Sequence, residues 1–112
     1  MKPKLTIDEY GTKEWKIPSG KHHREDGPAI EYLGGSIKWW YLNGQLHREN
    51  GPAIEYSDGD KWWYINGLLH RENGPAIECA NGIKKWFLYG VSYTEQEYKL
   101  KIRSIKLTKL IK

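Results

Sequence analysis

The sequence predicts a mainly β protein of stacked antiparallel β-hairpins, about three and a half units long, with a C-terminal capping helix. A segment that begins His-Arg-Glu recurs at His23, His47 and His70, so the period is 24 and then 23 residues. A glycine turn and an aromatic strand follow each copy. A period of this size is typical of repeats that bury a core only by stacking on their neighbours.

The second repeat shows the predicted hairpin most clearly. Residues 53–56 alternate as a short strand, residues 57–60 supply an Asp-Gly turn, and residues 61–65 form the return strand. Residues 66–75 form a longer loop that starts with Asn-Gly and ends with Gly-Pro. The first repeat has one extra residue before Trp39, which predicts a bulge or a longer turn there.

The two ends of the chain depart from the repeat. Residues 11–15 align with residues 59–63, which indicates an incomplete first unit, and residues 5–10 are the candidate partner strand. Thr94 and Glu97 have the spacing of a capping box, and neither Gly nor Pro follows, so we expect a helix over about 95–109. Alternation after Tyr98 leaves a strand as the alternative. We therefore expect one domain with two parts: a repeat region, 1–93, and a basic helix or cap, 94–112.

Composition limits the class of protein. The 112 residues suffice for one domain with a modest core. Cys79 is the single cysteine, which excludes an internal disulfide and indicates a structural thiol. The N-terminus lacks the apolar run of a signal peptide, and no stretch approaches the roughly 20 apolar residues of a membrane span. We expect a cytoplasmic protein without a transmembrane segment.

The recurring histidines invite a catalytic or metal-binding interpretation. Stacking, however, places equivalent residues in a row, whereas a zinc site needs about four ligands around one ion. We therefore expect His23, His47 and His70 to tie neighbouring loops together by hydrogen bonds, with no metal and no cofactor. The sequence contains no nucleophile-and-base signature and no phosphate-binding loop, so we expect no catalytic residues and no enzymatic activity.

Strand parity separates two faces of the predicted sheet. One position reads Trp15, Trp40, Trp63 and Trp86, which predicts the buried face. The neighbouring position varies between charged and aromatic residues, which predicts the solvent face. An exposed aromatic row is a candidate contact surface, and the predicted partner-binding residues are Trp39, Tyr41, Trp62, Tyr64, Lys85 and Phe87. The alternative is that these Trp rings stack on each other, on neighbouring lysines or under the helix.

Positive charge is concentrated at the C-terminus. The net charge is +4, and the last fifteen residues hold six cations and no acid. This segment is either a solvated cap or a phosphate-contacting element. The candidates for anion or nucleic-acid contact are Lys99, Lys101, Arg103, Lys106 and Lys109.

The repeat motif, aromatic-x-Asn-Gly-x-x-His-Arg-x-x-Gly-Pro-Ala, resembles the MORN repeat family over about residues 7–93. It is most similar to the MORN-like variants with His-Arg-Glu-Asp/Asn-Gly-Pro-Ala that recur in phage and giant-virus proteins. The resemblance implies a non-enzymatic scaffold for protein contacts.

Two functions follow as expectations. The first is a protein-interaction module, and the resemblance extends it to a viral factor that binds and modulates a host defence protein in the host cytoplasm. The alternative is a nucleic-acid-binding protein that uses the basic segment and stacks bases on exposed tryptophans.

Overall fold

The chain forms one long antiparallel sheet with a helix at its C-terminal end. The structure is a computed structural model that describes residues 2–111. Its extents are 48 × 36 × 18 Å. Because stacked sheets lie about 10 Å apart, an 18 Å thickness leaves room for little more than one sheet and its side chains.

The regular structure of the described residues consists of short strands, one 3-10 turn and one α-helix. The strands form three sets of paired ladders. Nine strands form the main sheet, in the order β1-β2-β3-β4-β7-β8-β11-β12-β13, and the other four form two separate ladders, β5 with β6 and β9 with β10. The predicted mainly β fold of antiparallel hairpins is confirmed. The elements are β1 (Lys4–Ile7), β2 (Lys13–Lys16), β3 (Ile30–Tyr32), β4 (Ile37–Trp39), β5 (Tyr41–Leu42), β6 (Gln45–Leu46), β7 (Ile54–Glu55), β8 (Lys61–Trp62), β9 (Tyr64–Ile65), β10 (Leu68–Leu69), β11 (Ile77–Glu78), β12 (Lys84–Leu88), β13 (Val91–Tyr93) and α1 (Glu95–Leu110).

One tryptophan in each of the first two repeats links the main sheet to a small ladder. The Trp40 N–H donates to the carbonyl of Ala53 in the next hairpin, and the Trp40 carbonyl accepts from His47 N–H. Trp63 makes the same two bonds, with Ala76 and His70. The aromatic strand therefore belongs to two ladders in succession, which explains why it is interrupted at this residue.

The incomplete first unit repeats this pattern. The β1 strand pairs with β2, Trp15 N–H donates to the Ala29 carbonyl, and His23 N–H donates to the Trp15 carbonyl. The extra residue of the first full repeat is absorbed by a 3-10 turn at Leu33–Gly35, as expected for a longer turn.

Both faces of the sheet carry core, so the predicted assignment of one buried and one solvent face is wrong. Direct register places Trp39 beside Ile30 and Ile54, and Trp62 beside Ile54 and Ile77. These isoleucines are 4 to 8% exposed. Trp39 and Trp62 are half-buried because their rings cover the isoleucines, and they are not an exposed row. The opposite face has its own buried residues, Ala29, Ala53 and Ala76, each 0% exposed.

One position of the aromatic strands varies between charged and aromatic residues, which suggested a solvent face. The variation arises because the charged residues lie near the ends of the sheet. Trp39 and Trp62 each lie between two isoleucines, whereas Glu14 lies between Thr6 and Ile30 and Lys85 has only Ile77 as its cross-strand isoleucine. A large apolar ring is favoured only where isoleucines flank it on both sides.

The helix begins where the sequence indicates. Thr94 Oγ1 accepts from Glu97 N–H at 3.1 Å, and Glu97 Oε1 accepts from Thr94 N–H at 2.9 Å. Residues 90–93 repeat the spacing of residues 67–70, so α1 replaces what would be a fourth His-Arg-Glu loop. Within residues 2–111, no helix has the length and apolar character needed to cross a bilayer. Lys112, part of the predicted basic segment, lies outside the described residues.

Candidate functional site

Three equivalent segments, which we call the HRE loops, are residues 23–28, 47–52 and 70–75. The second and third follow the two small ladders, and the first follows an isolated bridge between Lys16 and His22. In the second, buried His47 accepts a hydrogen bond at Nδ1 from Asn66 N–H at 2.9 Å. An accepting Nδ1 carries no proton, so Nε2–H donates to the Glu49 carboxylate, 3.3 Å away. His23 and His70 repeat the Nδ1 bond at 2.9 Å with Asn43 and Tyr89.

Each of these bonds fixes a strained turn in the following repeat. Asn66 has φ +48° and Gly67 has φ +80°, as a two-residue hairpin turn requires. His47 supplies the acceptor for the Asn66 N–H, which therefore stays paired away from water. No group of three or more His, Cys, Asp or Glu side chains in residues 2–111 is arranged to hold a metal ion. The histidines accordingly act as links between repeats.

The arginine of each HRE loop stacks on a tryptophan and is fixed there by hydrogen bonds. The Arg48 guanidinium lies 3.8 Å from the centre of the Trp40 ring. Its Nη1 donates to the Pro52 carbonyl at 3.1 Å and to Glu55 Oε2 at 2.8 Å. A Cβ on Gly51 would lie 3.0 Å from Arg48 Cζ, so only glycine leaves room for the guanidinium. Arg24 over Trp15 and Arg71 over Trp63 repeat the stacking at 3.8 and 3.7 Å.

The HRE motif is thus explained residue by residue as packing. Histidine, arginine, glycine and proline each contact a defined partner inside the fold, and the alanine that follows is fully buried. Recurrence of the motif therefore reflects the needs of each unit and does not by itself indicate a ligand.

Six half-buried aromatic side chains lie close together on the face that carries the isoleucines. Tyr32 packs edge-on against Trp39, with ring centres 5.5 Å apart and planes at 80°. Tyr56 does the same to Trp62, at 6.4 Å and 73°. We call this set the aromatic row: Tyr32, Trp39, Tyr41, Tyr56, Trp62 and Tyr64.

The tyrosine hydroxyls of the aromatic row influence one another. Burial raises the pKa of Tyr41 above its ordinary value, and the nearby Tyr32 and Tyr56 raise it further. Burial likewise raises the pKa of Tyr64, with added contributions from Tyr56 and Tyr41. The phenols of Tyr41 and Tyr64 therefore stay neutral at physiological pH and can donate or accept hydrogen bonds.

The structure brings together four of the six residues that the sequence nominated for partner binding, namely Trp39, Tyr41, Trp62 and Tyr64. Lys85 is exposed on the same face, beside Ile77, and Phe87 is half-buried two residues further along β12. Tyr32 and Tyr56 were missed. Their spacing of two from Ile30 and Ile54 places them on the same face, and that parity would have identified them.

The opposite face carries charges of both signs, and its glutamates are paired. In direct register, lysine and glutamate alternate across the main sheet. Arg48 lies within 2.8 Å of Glu55, and the other two repeats have the same pair at 3.4 Å. Cross-strand pairs of opposite charge stabilise a sheet. We call this series the charged face: Lys13, Glu31, Lys38, Glu55, Lys61, Glu78 and Lys84.

The five basic residues nominated on the C-terminal segment are all exposed, but they differ in their pairing. Lys99 Nζ lies 3.2 Å from Glu95 and Lys109 Nζ lies 2.7 Å from Glu72. Lys101, Arg103 and Lys106 form no ion pair within residues 2–111. Of the five nominated residues, these three are available to an outside anion without breaking an ion pair within residues 2–111.

Comparison with known proteins found no match: no family description fits the chain, and neither the curated proteins nor the solved structures contain one that is similar.

Proposed function

We propose that this protein is a non-enzymatic interaction module and that its partner, another protein, binds across the aromatic row. The observation that supports this is the continuous set of six half-buried aromatic side chains on one face of a thin sheet. Tyrosine and tryptophan are enriched at interfaces because they combine a large apolar surface with a polar handle.

Two further features favour this face over the rest of the surface. The indole Nε1 atoms of Trp39 and Trp62 are buried and have no hydrogen-bond partner within residues 2–111. An unpaired buried N–H costs about 1 to 3 kcal/mol, so a stability optimum alone does not account for indoles at this position. The three glutamates of the charged face, by contrast, are already paired with the arginines of the HRE loops.

The similarity of the repeat motif to MORN-like repeats of phages and giant viruses supports a host protein as the partner. On that basis the protein acts in the host cytoplasm as a viral factor that modulates a host defence protein.

The test is affinity capture from the native host, followed by direct binding measurements with the captured protein. Trp39→Lys with Trp62→Lys places at both positions the residue that the third repeat has naturally, Lys85. We expect binding to weaken by about 30-fold or more, which corresponds to about 2 kcal/mol. Lys61→Gln, on the charged face, is the matched control and should bind normally.

Undiminished binding by a folded double variant would exclude the aromatic row as the site. Circular dichroism and thermal melting establish folding. Should the lysine pair unfold the protein, Tyr41→Ser with Tyr64→Ser tests the same row without removing an indole that covers an isoleucine.

A second candidate, nucleic-acid binding, rests on Lys101, Arg103 and Lys106, the three cations of α1 without an internal partner. Three phosphate contacts to a single strand predict a slope of about −2 in a plot of log affinity against log salt. Reversal of the three charges should abolish such binding. Salt-independent capture of a protein by the same variant would decide for the first proposal.

A further inference from the structure

The HRE loops leave two grooves open, and the C-terminal helix occupies the corresponding place beside the third loop. One groove, of about 590 Å³, lies between the first and second loops over Trp40 and Leu42. The other, of about 800 Å³, lies between the second and third loops and includes Trp63 and Ile65. Leu88 aligns with Leu42 and Ile65 but is only 3% exposed, in the strand on which α1 packs.

The helix recognises the third loop through two side chains. Tyr98 is 4% exposed; its hydroxyl donates to the Arg71 carbonyl and accepts from Gly74 N–H at 3.2 Å. Lys109 Nζ donates to Glu72 Oε1 at 2.7 Å. This bond lowers the pKa of Glu72 and raises that of Lys109. One tyrosine and one lysine of a single helix thus form hydrogen bonds with the polar groups of an HRE loop.

The first two loops present the same groups, and no helix contacts them within residues 2–111. Residues 2–111 supply no hydrogen bond to the four backbone groups concerned. The Glu49 side chain is 77% exposed, against 25% for Glu72. The unpartnered backbone groups are the carbonyl oxygens of Arg24 and Arg48 and the N–H groups of Gly27 and Gly51. The carboxylates of Glu25 and Glu49 each contact the histidine of their own loop but remain exposed to an outside cation.

We propose that the two open grooves bind helical segments of a partner protein that carry a tyrosine and, three turns later, a lysine or arginine. Tyr98 and Lys109 are eleven residues apart, and a helix of 3.6 residues per turn brings such a pair onto one face. The carboxylates of Glu25, Asp26 and Glu49 at the rims favour a basic helix. These grooves are separate from the aromatic row. An experiment can therefore contradict the proposal for one site and leave the proposal for the other intact.

The probe is a synthetic peptide with the sequence of residues 94–111, blocked at both ends and titrated into the full ¹⁵N-labelled protein. We expect saturable shifts of the Gly27 and Gly51 amide signals, because these N–H groups gain the bond that Gly74 already has. A peptide with Phe in place of Tyr98 should bind about tenfold more weakly, since it lacks the hydroxyl that makes both bonds. Both peptides have the same cost of helix formation, so their ratio isolates the hydroxyl.

The charged contact is tested on the protein side. Glu49→Gln should weaken binding of the tyrosine peptide several-fold, and the difference should shrink as salt is raised. Glu9→Gln, which removes an exposed carboxylate outside the HRE loops, is the matched control and should bind as the unaltered protein does.

Three results would overturn the proposal. The first is equal binding of the tyrosine and phenylalanine peptides, or none up to millimolar concentration. The second is a set of shifts confined to Gly74, which would mean that the peptide only displaces the protein's own helix. The third is self-association with shifts at Gly51 in the absence of peptide, which would make a second copy of this chain the occupant.

Discussion

The guanidinium of Arg48 lies 3.8 Å from the centre of the Trp40 ring. Gly51 adjoins the same guanidinium, so close that a Cβ there would approach Arg48 Cζ to 3.0 Å. The molecule extends only 18 Å along its shortest axis, which leaves little room for a further layer over its tryptophans. Here a planar cation covers the ring while its hydrogen bonds to Pro52 and Glu55 satisfy its polar groups.

This arrangement predicts strong coupling between Arg48 and Gly51. Gly51→Ala should destabilise the protein by about 1 to 3 kcal/mol, because the added methyl displaces the guanidinium. Arg48→Ala should cost a similar amount through lost stacking and a lost pair with Glu55. Since the methyl has nothing to displace once the arginine is gone, the double variant should be clearly less destabilised than the sum of the single variants. Urea unfolding of all four proteins measures this.

If the destabilisation of the double variant equalled the sum of the two single values, the packing of Arg48 against Gly51 would be contradicted. Gly74→Ala is an informative comparison, because Gly74 has φ +150° in addition to its contact with Arg71. Its destabilisation should therefore persist in an Arg71→Ala background, owing to backbone strain.

The histidine links predict an unusual order of substitutions. Asparagine can place its carbonyl oxygen near the position of Nδ1, whereas glutamine reaches the position of Nε2. His47→Asn should therefore keep the acceptor for Asn66 N–H and cost less stability than His47→Gln, although glutamine is closer to histidine in size. His47→Ala should cost about 3 kcal/mol, because it leaves the N–H unpaired and opens a cavity.

The ring tautomer gives an independent check. Nitrogen NMR should show Nε2 protonated and Nδ1 unprotonated in His23, His47 and His70 at neutral pH. A protonated Nδ1 in the folded protein would mean that the links between repeats are not formed as described.

Local and periodic signals in the sequence were sufficient to predict the hairpins, the longer first turn and the start of the helix at Glu95. Each of these depends on neighbouring residues or on recurrence. The buried faces could not be predicted, because the covering of Trp40 by Arg48 depends on contacts that only the folded loop creates. The residues Glu14 and Lys85 were misleading, since they lack the two flanking isoleucines of Trp39 and Trp62. The open grooves were also missed, because their nature emerges only from comparison with the helix-filled third position.

The backbone of the 3-10 turn in the first repeat is strained at one residue, and a substitution there should relieve the strain. Leu33 has φ +51° and a side chain that is 72% exposed, so it bears the cost of a left-handed backbone without compensating burial. Asn43 and Asn66 adopt the same conformation at φ +50° and +48°. Leu33→Asn should stabilise the protein by about 0.5 to 1 kcal/mol, visible as a rise in Tm of about 3 to 5 °C.

The same substitution at Leu5, in the edge strand β1, is the control and should not raise the Tm, because asparagine is disfavoured in strands. If Leu33→Asn left the Tm unchanged or lowered it, the left-handed conformation of this turn would be in doubt.

The docking of α1 on the third HRE loop should depend on the protonation of Tyr98. Its hydroxyl donates to the Arg71 carbonyl and accepts from Gly74 N–H, so Tyr98→Phe should cost about 1 to 2 kcal/mol at neutral pH. Burial raises the pKa of Tyr98 above its ordinary value of 10.0. The folded state therefore binds this proton more tightly than the unfolded state, and the resulting stability is complete below about pH 10 and lost as pH rises through the raised pKa.

Unfolding free energies of the unaltered protein and of Tyr98→Phe, measured by urea between pH 7 and pH 11, check both parts of this prediction. The difference between the unfolding free energies of the two proteins should be constant up to about pH 9. It should become smaller above pH 10, because only the unaltered protein then loses the donor to the Arg71 carbonyl. Both proteins should still lose stability at high pH, since burial also raises the pKa of Tyr41 and Tyr64. Tyr10→Phe, at a residue that is 81% exposed, is the matched control and should follow the unaltered protein throughout. If this free-energy difference stayed constant to pH 11, the Tyr98 hydroxyl would not be what holds the helix against the loop.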